Sequence, residues 1–210
     1  MTRLRHLVTV SWEIFSRKVS GGLLPINKEA SMQLQYAYLL QQMLPLTIHE
    51  ADEQAHIELE TTITHTDGSR NNVDIVIVGK KGDRQEVIAV ELKYYRRLSS
   101  SGGNRGGQDI FKKAVYEDLE VLERYVSSGY ARHGVLLVMT DMKGFVEPLA
   151  KVGKAWGYDI SHGHRTNAGE AFEIPVGGKP VSIRLERSYF FDWRSHGQTI
   201  WFAELEGMSG

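Results

Sequence analysis

Two strongly apolar runs joined by one short polar link dominate this sequence. "VDIVIVG" (73–79) and "VIAVELKYY" (87–95) flank the link "GKKGDRQ" (79–85). Runs this rich in Val and Ile predict strands, and the glycine-containing link predicts a hairpin turn. The second run is apolar on both faces where it leads into its charges. A chain holding such a strand must cover its sheet from both sides, which points to a layered α/β architecture.

The flanking segments supply the layers. Leu4, Leu7, Val8, Trp12, Phe15 and Val19 fall near helical spacing and predict an amphipathic helix over 3–19. Asn27 is placed to cap a second helix, "KEASMQLQYAYLLQQML", which stops before Pro45. "HIELETTITHT" (56–66) predicts a strand ahead of the hairpin. Beyond the hairpin, "SSSGGNRGG" (99–107) reads as a mobile polar loop and "QDIFKKAVYEDLEVLERYV" (108–126) as a helix. "HGVLLVMTD" (133–141) has the almost wholly apolar character of a buried strand. "GFVEPLAKVGKAWGY" is expected to be helical after its proline, and "VSIRLER", "YFFDW" and "TIWFAEL" predict further C-terminal strands. This order implies helices on either side of a central mixed sheet.

The 210 residues suit a single domain over 1–210, with a core of about 25–141 and a C-terminal extension over 142–210. A formal charge of −1 exerts no global pull toward nucleic acid, so any such contact requires a local basic surface. Cysteine is absent, which excludes disulfides, thiolate zinc sites and a cysteine nucleophile. No apolar run approaches the roughly 18 residues of a membrane span. Glu13 interrupts the short apolar patch of the N-terminus, and no small-residue cleavage site follows. A cytoplasmic protein with no membrane partner is expected.

Chemistry concentrates at "AVELKYYRR". Side chains alternate along a strand, so Glu91 and Lys93 share one face while Ile88, Val90 and Leu92 share the other. Asp74 stands alone among Val73, Ile75, Val76 and Ile77, with sixteen residues between it and Glu91. Antiparallel pairing can bring both carboxylates to the same end of the hairpin. One reading is a salt bridge at a strand end. The other is an all-oxygen site for Mg²⁺, in which two carboxylates hold the cation and a lysine adds charge against a phosphorane.

Asp74 followed by Glu91-Leu92-Lys93 across a hairpin, with helices before and after, resembles the PD-(D/E)XK nuclease superfamily over roughly residues 25–141. The resemblance implies a restriction endonuclease-like fold with an αβββαβ core, a mixed sheet flanked by helices, and extra C-terminal strands. It implies a Mg²⁺-dependent endonuclease hydrolysing DNA, with Mn²⁺ able to substitute. Carried over, Asp74 and Glu91 are metal ligands, Leu92 lends its backbone carbonyl, and Lys93 is the catalytic lysine. Glu29 corresponds to an outer acidic ligand on the preceding helix, and Gln108 to a glutamine that some members carry after the lysine strand. Val73 departs from the pattern, standing where the family name has proline. Double-stranded DNA is the implied partner, cut by a homodimer. The alternatives are a catalytically inactive nucleic-acid-binding or scaffold protein, and a nuclease acting on RNA or branched DNA.

Other signals are weaker. Glycines before "QDIF" lack the G-K-[ST] ending of a phosphate loop, while Arg96, Arg97 and Arg105 are available to phosphates. His162 and His164 stand two apart without a third metal ligand nearby, and read as a polar loop. Lys112 and Lys113 read as the solvated face of the long helix, and Glu58 and Glu60 as residues bordering the site or an edge. The aromatic tail "YFFDWRSHGQTIWF" reads most simply as core and strand pairing, with a dimer or DNA-contact surface as the alternative.

Overall fold

A computed structural model describes residues 3–64, 68–98, 102–197 and 199–208. The loop expected over 99–107 lies outside the described residues at 99–101, as does the first strand's expected end at 65 and 66. Helices α1 (Arg3–Ser20) and α2 (Glu29–Met43) precede strands β1 (Glu53–Thr64), β2 (Arg70–Lys81) and β3 (Arg84–Tyr95). Helix α3 (Gln108–Ser127), strand β4 (His133–Thr140) and the short α4 (Lys143–Val146) follow. The C-terminal part holds β5 (Arg165–Thr166), β6 (Glu170–Phe172), β7 (Ile183–Leu185), β8 (Tyr189–Phe190) and β9 (Trp201–Glu206). No helix among the described residues is long and apolar enough to cross a membrane.

The fold is α/β, built on a five-stranded mixed sheet in the order β1-β2-β3-β4-β9. Strands β1, β2 and β3 form an antiparallel meander, and Lys81 pairs with Arg84 across a two-residue turn. Gly82 takes φ 54° at the first turn position, where a side chain would be strained. Strand β4 runs parallel to β3, which requires the crossover that α3 supplies. Strand β9, from the C-terminal extension, closes the sheet antiparallel to β4.

Each face of the sheet carries its own apolar layer. Ile75, Ile77, Ile88, Val90 and Leu92 pack under α1 and α2. Val76, Val78, Ala89 and Tyr95 pack under α3 together with Phe172, Leu185 and Phe191 of the C-terminal ribbons. Strict alternation would keep Ile57, Ile63, Val73 and Ile75 on one face. Instead Ile57 and Ile75 pack with α1 and α2, whereas Ile63 and Val73 belong to the α3 layer. The exchange falls at Glu60, whose φ of 52° lies in the left-handed region. Leu59 pairs with Ile75 and Thr61 with Val73, with no pair between them. The β1–β2 ribbon therefore turns over at the level of Glu60 and Asp74.

Three local expectations are corrected. Helix α2 is entered through Lys28, and Ser31 Oγ accepts the N–H groups of Asn27 and Lys28 at 3.1 Å each, so Asn27 is not the cap. Of the helix expected after Pro148 only a 3₁₀ turn forms, at Lys154–Gly157; the α-helical turn lies before the proline, at Lys143–Val146, and stops there because a residue preceding proline is driven out of the helical region. Glu147 sits at φ −124°, ψ 73°. Lys113 is on the solvated face and pairs with Glu117 at 2.7 Å, but Lys112 is only 3% exposed. Its Nζ lies over the Trp156 ring, 3.1 Å from the centroid.

Two buried charges tie distant parts together. Glu123 on α3 accepts the N–H groups of Glu186 (2.7 Å) and Arg187 (2.8 Å) and the Tyr189 hydroxyl (3.0 Å), pinning the β7–β8 connection to the helix. Arg5 on α1 is held by Glu204 at 2.6 Å and Glu206 at 2.7 Å, both on β9.

Candidate active site at the fork of β2 and β3

The paired ladder between β2 and β3 ends at Ile75 and Val90. Continuing the register by one residue sets Asp74 opposite Glu91, and there a side chain replaces the backbone pairing. Asp74 Oδ2 accepts the Leu92 N–H at 2.7 Å. In an extended strand one residue's N–H and C=O point to the same edge, so the Leu92 carbonyl is also directed toward β2 and Asp74. Gln33 on α2 donates through Nε2 to the Asp74 carbonyl oxygen (2.8 Å) and to Glu60 Oε1 (2.7 Å). One amide thus braces both strands where they turn over.

Glu29 and Lys93 complete the fork. Glu29 Oε2 accepts the Tyr94 N–H at 3.0 Å, and its Oε1 lies 4.0 Å from Lys93 Nζ. Lys93 points to the α3 side, where Asp118 Oδ2 is 2.9 Å from Nζ. That contact is a close ion pair, and Lys93 is the group that faces the buried Oδ2.

The carboxyl groups outnumber their counter-ion. Asp74, Glu91, Asp118 and Glu29 face a single Lys93, a formal surplus of three negative charges when all are ionised. Burial first, then the charges of Asp118 and Asp74, pushes the Glu91 carboxyl up to about 9 against the opposing pull of Lys93. Asp118 is pushed up to about 6, again chiefly by burial. Asp74 is raised by burial, with its hydrogen bond from Leu92 acting the other way. Lys93 is raised despite its burial, because Asp118 and Glu29 favour the ammonium. A salt bridge at a strand end would balance one acid with one base. This arrangement does not.

Hard oxygen donors that outnumber the one ammonium among them fit a divalent cation. Asp74, Glu91 and the Leu92 carbonyl are the atoms that could hold it, with Glu29 outside them. Among the described residues, no three acidic or histidine side chains already stand as a metal-binding group. Asp74 and Glu29 are engaged instead with the backbone N–H groups of Leu92 and Tyr94.

The remaining candidates lie elsewhere or only border the fork. Gln108 is exposed at the first position of α3, ten residues or roughly 15 Å along the helix from Asp118, and lines a groove with Lys112, Met142 and Trp156. Glu60 reaches the fork through Gln33, but Glu58 is an exposed partner of His56 at 3.0 Å. Arg96 and Arg97 follow β3 directly, and Arg105 joins them through its N–H to the Arg97 carbonyl (2.7 Å). His162 and His164 face different partners, Asp192 (3.9 Å) and Asp159 (3.5 Å), so they do not share a site. Tyr189, Phe191, Trp193, Trp201 and Phe202 are buried in the core, as expected, whereas Phe190 of the same stretch is exposed.

Asp118 and Gln33 were not anticipated. Both had a signal. Asp118 lies three residues after Val115 and one before Leu119, an acid on the apolar side of α3, and Gln33 is one helical turn beyond Glu29. Comparison with protein-family models, with curated proteins and with solved structures returns no match.

Proposed function

We propose that this chain is a divalent-cation-dependent endonuclease of restriction endonuclease-like fold, hydrolysing phosphodiester bonds in DNA. The observation that carries the reading is the meeting of Asp74, Glu91 and Lys93 where β2 and β3 part. The order α2, β1, β2, β3, α3, β4 supports it, being the αβββαβ order of the PD-(D/E)XK superfamily. Held by Asp74, Glu91 and the Leu92 carbonyl oxygen, Mg²⁺ (or Mn²⁺ in its place) would supply an activated water and positive charge for the phosphoryl oxygens. Lys93 contributes an ammonium that orients the attacking water or offsets charge developing on phosphorus. Glu29 anchors the end of β3 and stands as an outer acid. Arg96, Arg97 and Arg105 offer phosphate contacts at the same end of the strand.

Incubation of supercoiled plasmid with Mg²⁺ is expected to give nicked and linear products. Glu91→Ala and Lys93→Ala are each expected to lower the rate by roughly 1,000-fold or more. Undiminished cleavage by both variants would remove the site. A panel of duplex, single-stranded and branched DNA together with RNA identifies the substrate, and sedimentation with and without duplex tests cutting by a homodimer.

One observation favours a second reading, a nucleic-acid-binding protein that keeps the fold without the chemistry. The Asp74 carboxylate is already committed to the Leu92 N–H. That reading predicts no cleavage of any substrate and an affinity for DNA unchanged by Mg²⁺.

A further inference from the structure

We infer that Asp118 is a positioning residue for Lys93, holding its ammonium over the β2–β3 fork from the opposite layer of the molecule. The inference rests on the nuclease reading of that fork and adds to it a residue on α3, outside the Asp74/Glu91/Lys93 pattern.

The first ground is where Asp118 sits. It lies in the middle of a 20-residue helix, beside the buried Val115, Leu119 and Leu122. Aspartate is a poor helix former away from the N-terminus, and a carboxylate on a packed helix face loses its water. Such a residue needs a partner. The side chain is 18% exposed, and Oδ2 is buried. What faces it is Lys93 Nζ at 2.9 Å.

The second ground is what Asp118 does for Lys93. The lysine side chain is 20% exposed and leaves β3 on the same face as Glu91. A four-carbon stem carrying a point charge has several rotamers available and no fixed direction of its own. Of the two carboxyl groups within ion-pair distance, Glu29 is farther, at 4.0 Å, and 43% exposed, whereas Asp118 is close and held on a packed helix. Asp118 therefore selects the rotamer. The contact engages one N–H of the ammonium and leaves its other donors for a water or a phosphoryl oxygen. The α3 crossover that joins parallel β3 and β4 thus also carries the group that aims the lysine.

The test uses Asp118→Asn, which keeps the side-chain volume and removes the charge, and Asp118→Glu, which keeps the charge and displaces it. In plasmid cleavage with Mg²⁺, Asp118→Asn is expected to lower kcat roughly 10- to 100-fold while KM and the Mg²⁺ half-saturation move less than about twofold. Asp118→Glu is expected to recover part of that loss, and it gives the answer if the amide weakens the fold. A second readout needs no catalysis. The ¹³Cε signal of Lys93, assigned by its disappearance in Lys93→Arg, is expected to move in Asp118→Asn toward the position of the exposed lysines. Wild-type kcat in both Asp118 variants, or an unmoved Lys93 signal, overturns the inference alone. Absence of cation-dependent cleavage by the wild type, or cleavage surviving Lys93→Ala, overturns the nuclease reading and the inference with it.

Discussion

Glu91 holds its proton far above the range of an exposed carboxyl, with a value of about 9 set by burial and by its neighbours Asp118 and Asp74. An unfolded chain releases that proton near pH 4.3, at about the ordinary glutamate value. The folded state therefore binds more protons between those two values, and its stability falls as pH rises from about 4.3 toward about 9. Glu91→Gln removes the effect. Its midpoint in thermal melts should exceed that of the wild type at pH 8, by roughly 2–4 kcal/mol of stability, and converge with it near pH 4. Mg²⁺ should raise the wild-type midpoint and leave that of Glu91→Gln nearly unmoved. Residues such as Glu91 and Asp74 were legible because a charge inside an apolar strand stands out against a period of two. Asp118 and Gln33 carry a weaker signal, because half the positions of any amphipathic helix are polar. A single polar side chain at the edge of the apolar stripe looks like the solvated face. Lys112 failed for the same reason, its amine being covered by Trp156 from a segment with no periodicity.

At the scale of elements, the central strands and the long helix follow from apolar runs long enough to be unambiguous, and the structure agrees with them. The face exchange in β1 and β2 does not, because strand alternation presumes that one face stays one face. Glu60 breaks it with a backbone angle that no side-chain pattern records. This gives a test of whether the turnover is built in. Glu60→Gly should hold or raise stability, since glycine adopts φ 52° without strain. Glu60→Val should lower it by about 1–3 kcal/mol, because a β-branched residue is a clear outlier there. Chemical denaturation reads both. Equal stabilities would mean that the ribbon reaches its crossing by another route. The shortened helix after Pro148 has a simpler cause. Leu149 and Val152 are both largely exposed, so no packed face rewards an α-helix ahead of the 3₁₀ turn at Lys154–Gly157.

For the molecule as a whole, the C-terminal residues share the apolar layer under α3 and are tied to the rest further by a strand and by buried charges. Glu123 receives three donors from the β7–β8 connection, and Glu123→Ala would leave them unpaired in a buried place. The expected cost is roughly 2–4 kcal/mol. Hydrogen exchange should show lost protection over 183–190 first, while 75–79 and 87–92 stay protected to the global limit. Protection lost uniformly would mean that the ribbons and the sheet open as one unit. Arg5 makes the same point from the other end of the chain. Its guanidinium is buried on the first helix, and the carboxylates that neutralise it belong to Glu204 and Glu206. During synthesis, α1 emerges about two hundred residues before those partners do, when β4 also still lacks the neighbour that will cover its edge. Helix α1 therefore cannot seat on the sheet at full strength until β9 has left the ribosome, so the first helix is the element whose docking waits longest for its partners.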